Sequence, residues 1–191
     1  KVTKGMYKDG LWQLEIQDVE TGETSSVQSK LVINASGPWI DAVLKSVFGR
    51  NDANNMRLVR GSHIVVNKLF DHGKCYIFQN EDGRIIFAIP YEGNYTLIGT
   101  TDAEHDDVHK PAAISPQETE YLCEAASEYF RERITKDDVV WTYSGVRPLF
   151  NDGASAAQEA TRDYVLDWEE GPNFGPLLNI IGGKITTYRK L

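Results

Sequence analysis

Four runs rich in β-branched and aromatic residues, Leu58 to Val66, Cys75 to Gln79, Ile85 to Tyr91 and Tyr95 to Gly99, follow one another along the chain. Glu81-Asp82-Gly83 and Glu92-Gly93-Asn94 stand between them as turn signals. Consecutive hairpins commit the middle of the chain to an antiparallel sheet, because parallel neighbours need a long crossover that these connections cannot hold.

The flanks differ from this middle. Leu11 to Gln17 alternates, with Trp12, Leu14 and Ile16 on one side and Gln13, Glu15 and Gln17 on the other, as in a half-buried strand. Glu20 to Glu23 reads as a turn before a second short strand. The apolar run Leu31-Val32-Ile33 ends in Asn34-Ala35-Ser36-Gly37-Pro38, where a helix is expected to start; Ile40, Val43, Leu44 and Val47 form its stripe and Gly49 can cap it. The clearest helix signal is the capping box Ser115-Pro116-Gln117-Glu118, followed by Tyr121, Leu122, Ala125, Ala126, Tyr129 and Phe130 at helical spacing. Val139 to Tyr143, Asp163 to Trp168 and Leu177 to Ile181 read as later strands, and Gly182-Gly183-Lys184 as a glycine turn into a helix start that carries no cap. The fold class expected is α+β. Residues 1–49 and 145–191 would form what remains of one domain, with 50–144 inserted as an antiparallel sheet domain.

Composition narrows the function classes. The 191 residues are 41% hydrophobic and 25% charged, ordinary for a globular chain. A net charge of -8 argues against a nucleic-acid partner, which needs a basic face. Cys75 and Cys123 have no metal-type spacing and are expected as reduced core thiols in a cytoplasmic protein, with a single disulfide as the alternative. No apolar stretch is long enough to span a membrane.

Several turns could carry chemistry. At Gly182-Gly183-Lys184 a ligand can approach the backbone, and a helix start with a lysine suits an anion; the same residues also make a plain tight turn with a surface lysine. In Ser144-Gly145-Val146-Arg147-Pro148, read as a turn after a strand, Pro148 restricts Arg147 to extended geometry and so fixes the direction of its side chain, which suits phosphate or carboxylate; a surface Arg before a chain reversal is the other reading. Asn34 to Gly37 offers small residues against which a flat cofactor could pack, or is simply a βα connection. His63 stands on a strand among apolar neighbours, either as a general base or as a satisfied core residue. Arg84 and Arg162 complete the basic set, or are surface ion pairs. His105 and His109, at i,i+4 among acidic residues, are read as solvated loop residues rather than metal ligands, and no metal site is expected.

Taken together, these segments resemble the aerobic FAD-dependent glycerol-3-phosphate dehydrogenases of the D-amino-acid-oxidase-like superfamily. The resemblance is carried by Leu31–Trp39, Arg60–Val66, Tyr76–Pro90, Ile98–Asp102, Val140–Leu149, Thr161–Tyr164 and Gly182–Leu191, in family order. Gly-Ser-His-Ile-Val-Val, Trp-Thr-Tyr-Ser-Gly-Val-Arg-Pro-Leu and Gly-Gly-Lys-Ile-Thr-Thr-Tyr-Arg-Lys-Leu are its most specific stretches. It implies oxidation of sn-glycerol 3-phosphate to dihydroxyacetone phosphate, with FAD taking the hydride and quinone reoxidising it. It also implies peripheral association with the inner face of the cytoplasmic membrane, and leaves room for a homodimer. By resemblance His63 is the candidate base, Arg147 and Lys184 lie at substrate and flavin, and Arg84 and Arg162 help hold the phosphate. Asn34, Ala35, Gly37, Gly182, Gly183 and Lys184 line the cofactor.

The sequence departs from the family pattern in one large respect. The Gly-x-Gly-x-x-Gly fingerprint is absent, since no two glycines are spaced i,i+2. The chain is therefore expected to be a fragment lacking the N-terminal FAD-binding segment of an FAD-binding (Rossmann-like) domain, and inactive by itself. Ser36, where the family usually has Ala or Thr, is a minor departure. Two other readings stand beside this one: an amino-acid-oxidase-like flavoenzyme, which needs one carboxylate-binding Arg rather than several cations, and a non-catalytic sheet module.

Overall fold

The computed structural model describes residues 1–153 and 161–191. Along the chain run β1 (Val2–Lys8), β2 (Leu11–Gln17), β3 (Thr24–Ser29), β4 (Val32–Asn34), a 3₁₀ turn (Gly37–Trp39) and α1 (Ile40–Phe48). Then follow β5 (Met56–Asn67), β6 (Tyr76–Gln79), β7 (Ile85–Tyr91), β8 (Tyr95–Gly99), β9 (Ala103–Glu104) and α2 (Pro116–Ser127). A 3₁₀ turn (Lys136–Asp138), β10 (Val139–Phe150), β11 (Tyr164–Gly171), β12 (Phe174–Gly182) and a last 3₁₀ turn (Ile185–Thr187) complete it. The class is α+β with mostly antiparallel pairing. The chain divides into two compact units, residues 1–58 with 148–191, and residues 59–147.

In the first unit β1, β2 and β3 form an antiparallel meander, and β11, β12 and β4 a second sheet in which β4 runs parallel to β12. Alternation along β2 puts Trp12 inward, where it is almost fully buried with Ile40, Leu44, Leu177 and Ile181. Its indole N–H donates to the Pro176 carbonyl at 2.8 Å, which satisfies the one polar atom that burial would otherwise penalise. α1 ends as expected: Gly49 takes φ +71, a conformation that carries no penalty for glycine, and its N–H bonds the Leu44 carbonyl.

In the second unit the strand order is β10-β5-β8-β7-β6, with β9 beside β5. Residues Ile64, Val66, Ile86 and Ile98 point to one face, where Leu122, Cys123, Ala125 and Ala126 of α2 cover them. Burying each large aliphatic side chain contributes about 1.5–3 kcal/mol. The capping box forms: the Ser115 hydroxyl accepts from the Glu118 N–H at 3.1 Å, and the Glu118 carboxylate accepts from the Ser115 N–H at 2.9 Å. α2 stops at Ser127, short of the Phe130 that ends its apolar stripe. There the Ser127 hydroxyl donates to the Cys123 carbonyl at 2.6 Å and accepts from the Ile134 N–H at 2.9 Å, which turns the chain back.

Three local expectations are corrected. Ser144 to Pro148 is not a turn but the interior of β10, which ends the strand order of its sheet; an edge strand is where proline is tolerated. After Lys184 comes a single 3₁₀ turn rather than an α-helix, with the Thr187 hydroxyl bonded to the Lys184 carbonyl at 2.9 Å. Cys123 is a core thiol, but Cys75 is exposed, and both are free.

Candidate functional site

Strand alternation sorts the residues of the second unit. On β5, Arg60, Ser62, Ile64 and Val66 share the α2 face, so Gly61 and His63 share the other. On β10 the same period puts Ser144 with Ser62, their hydroxyls 2.9 Å apart, and sends Tyr143 to the face of His63. The His63 and Tyr143 rings stack with centroids 4.6 Å apart and planes 4° apart. Two glycines floor this face. A Cβ on Gly99, the β8 partner of His63, would run into the imidazole, and a Cβ on Gly61 would run into the Arg147 guanidinium.

Arg147 is held by a segment that follows β8. Its Nη1 donates to the Asp102 carboxylate at 2.7 Å and to the Thr101 carbonyl at 3.4 Å, and its Nη2 to the Thr100 hydroxyl at 2.9 Å. Of the five guanidinium donors, the Nε–H and one Nη2–H make none of these bonds among the described residues and can serve an anion. His63 is half-buried, and burial, followed by the positive charge of Arg147, lowers its pKa to about 4. The imidazole is therefore neutral near pH 7, and its Nδ1 is buried with no hydrogen-bond partner among the described residues. A neutral imidazole beside a directed guanidinium can take a proton from a hydroxyl while a negative group is held nearby.

The opposite face holds a buried carboxylate, Glu118, whose local sequence pattern marks it only as a helix cap. Glu118 accepts from the Thr101 hydroxyl at 2.7 Å, the Ser62 hydroxyl at 2.9 Å and Arg60 at 2.6 Å. Burial pushes its pKa up, but these bonds and the Ser115 N–H outweigh that and hold it at about 2. The signal was present in the sequence: an acidic N3 residue, with Arg60 and Ser62 in period on β5. Arg84 lies elsewhere, with its guanidinium 4.7 Å from the Tyr121 ring centroid and its Nε 3.5 Å from the Asp82 carboxylate.

In the first unit, β4 and β12 pair in parallel with Asn34 opposite Asn179. The turns after them, residues 35–37 and 182–184, therefore leave from the same, carboxyl ends of neighbouring strands. In open sheets of parallel strands such ends are where ligands bind. Asn34 itself is buried. Its Nδ2 donates to Asn179 Oδ1 at 3.0 Å and its Oδ1 accepts from the Ser36 hydroxyl at 2.7 Å, so its side chain braces the turn from within. Ala35 is exposed, and Gly37 has φ +59 with open space where a Cβ would stand. Gly182 and Gly183 have φ +72 and +87, and a Cβ on either would lie 3.1 Å from the neighbouring segment, at the Asp163 carbonyl and Tyr164 Cβ respectively. Lys184 is exposed beyond them, and Arg162 immediately precedes Asp163. Bare backbone at both turns, with a lysine at one, fits a flat ring carrying negative charge.

Residues 2–183 match the family described as FAD dependent oxidoreductase. The chain is 41% identical over 191 residues to the aerobic glycerol-3-phosphate dehydrogenase of Escherichia coli (strain K12), and 42% identical over 190 residues to the D-erythritol 1-phosphate dehydrogenase of Brucella abortus (strain 2308). Each alignment covers 100% of this chain and 38% of the relative, so the chain spans well under half of either protein. A solved structure of glycerol-3-phosphate dehydrogenase from Bacillus halodurans, complexed with FAD, superposes with a TM-score of 0.74 at 32% identity, covering 100% of this chain and 36% of that one.

Proposed function

Because the chain belongs to the FAD dependent oxidoreductase family, we propose that it is part of a dehydrogenase that oxidises sn-glycerol 3-phosphate to dihydroxyacetone phosphate. Its similarity to named glycerol-3-phosphate dehydrogenases supports this. The observation that carries the chemistry is the pairing of a neutral His63 with a directed Arg147 on one glycine-floored face. Residues 59–147 are assigned as the substrate domain, and residues 1–58 with 148–191 as part of an FAD-binding, Rossmann-like domain.

Within the substrate domain, His63 takes the proton from the substrate C2 hydroxyl. Arg147 offers its two remaining donors to the substrate; Arg84, which the resemblance gives to the phosphate, stands apart from this pair against Tyr121 and Asp82 and is not assigned to the same site. Within the other unit, Gly37 and Ala35 on one turn, and Gly182, Gly183 and Lys184 on the other, are assigned to the flavin, with Asn34 holding its turn in shape. Lys184 and Arg162 are assigned to negative charge on flavin and substrate. Bound FAD supplies the hydride acceptor. Transfer of electrons to quinone, peripheral association with the inner face of the cytoplasmic membrane and a homodimer belong to the same proposal and rest on the sequence resemblance. No helix among the described residues is long and apolar enough to cross a membrane.

A second substrate is favoured by a specific observation: the D-erythritol 1-phosphate dehydrogenase is as similar as the glycerol-3-phosphate enzyme. Both are polyol phosphates with a secondary hydroxyl, so the same base and cation serve either. The test is anaerobic addition of each compound to the FAD-loaded full-length protein. Bleaching of the flavin absorbance by glycerol 3-phosphate at the lower concentration supports the first reading, and by D-erythritol 1-phosphate the second. Bleaching by neither overturns both.

A further inference from the structure

We infer that Glu118 is a positioning residue for anion recognition by Arg147, acting through Thr101; this rests on the proposed polyol phosphate reading. Thr101 belongs to both faces of the sheet at once. Its buried hydroxyl donates to Glu118 at 2.7 Å and accepts from the Ser62 N–H at 3.0 Å. Its carbonyl, the Thr100 hydroxyl and the Asp102 carboxylate are the three acceptors that orient Arg147. The segment that aims the guanidinium is therefore pinned from behind by a carboxylate that never reaches the substrate face.

The pin is strong because all four of its donors converge. Thr101 and Ser62 share Oε1, and Arg60 and the Ser115 N–H share Oε2. Bonds to an ionised acceptor are roughly twice as strong as neutral ones. Ser62 also precedes His63 and contacts Ser144 on β10, so both strands that carry the candidate base and cation are tied to the same carboxylate. A carboxylate serving only to cap α2 needs none of the bonds to Thr101, Ser62 and Arg60.

Removing the Thr101 hydroxyl leaves the Glu118 carboxylate short of a donor and frees the Arg147 acceptors to drift, whereas Thr101→Ser keeps the bond. The experiment uses the FAD-loaded full-length protein. KM and kcat for glycerol 3-phosphate are read with a dye acceptor, the Kd for inorganic phosphate by calorimetry, and Tm alongside. Thr101→Val is expected to raise both KM and the phosphate Kd about tenfold while kcat changes less than about threefold, and Thr101→Ser to restore them. Where Thr101→Val does not fold, Glu118→Gln, which still serves the capping box, is read the same way. A lower Tm with unchanged KM and phosphate Kd would show a merely structural role and overturn the inference. A wild type that turns over no polyol phosphate overturns the functional reading alone, provided phosphate binding still responds to Thr101→Val; a wild type that binds no phosphate overturns both.

Discussion

The imidazole of His63 lies flat on the ring of Tyr143, with planes 4° apart and centroids at 4.6 Å. That stack removes water from one side of the imidazole, and burial is the leading cause of its pKa near 4. The unprotonated form then persists well below the ordinary histidine range. The acid limb of kcat/KM attributable to His63 is expected near pH 4, and Tyr143→Ala should move it up toward 6.5 by restoring hydration. His63→Asn should lower kcat by about a hundredfold or more. An undiminished rate with a flat pH–rate profile in that variant would remove His63 as the base.

The two glycines under this face should answer differently to the same methyl group. At Gly99 the added Cβ meets a ring stacked on Tyr143, which has little room to yield. Gly99→Ala should cost about 1–3 kcal/mol of stability, as overpacking does. At Gly61 the added Cβ meets the far end of the Arg147 side chain, which can move away. Gly61→Ala should therefore cost less stability than Gly99→Ala, since only the Arg147 bonds to Asp102 and Thr100 are loosened, while raising KM for the polyol phosphate several-fold. Equal losses of stability in the two variants would contradict this.

Much of this was legible in the sequence because it depended on local pattern. The β5–β8 strands, the Ser115–Glu118 box and the Gly49 cap follow from period and turn chemistry that a neighbouring few residues determine. The extended course of Gly145 to Pro148 did not, because glycine and proline signal a turn locally and only the edge position of β10 permits a strand there. The 3₁₀ turn after Lys184 was likewise hidden, since nothing in Ile185-Thr186-Thr187 distinguishes it from a helix start. His63 and Arg147 could be singled out by residue type, but that the segment after β8 orients one of them required tertiary contacts spanning more than forty residues.

Acid stability gives a separate test of the Glu118 carboxylate. Its folded pKa, about 2, lies below the ordinary value of 4.5 because hydrogen bonds outweigh burial. A depressed carboxylate contributes stability that is fully present above pH 4.5 and is lost as pH falls toward 2. The shift corresponds to roughly 3 kcal/mol. The wild type should lose stability over that window, and Glu118→Gln, less stable at pH 7, should lose less. Parallel pH dependences for the two proteins would show that the ionised form is not what the four donors stabilise.

Gly37, Gly182 and Gly183 allow the cofactor assignment to be separated from backbone cost. All three have positive φ, where an L side chain costs about 1–2 kcal/mol. At Gly182 and Gly183 an alanine Cβ also lies 3.1 Å from the neighbouring segment, so stability and flavin retention should fall together there. At Gly37 the Cβ would stand in open space, and only the backbone cost applies. If a flavin packs on that turn, Gly37→Ala should lower the FAD content of the full-length protein by more than its small drop in Tm accounts for. FAD content that follows Tm alone across the three variants would remove Gly37 from the cofactor surface while leaving the Gly182–Lys184 assignment to be judged by Lys184→Ala, which carries no backbone cost.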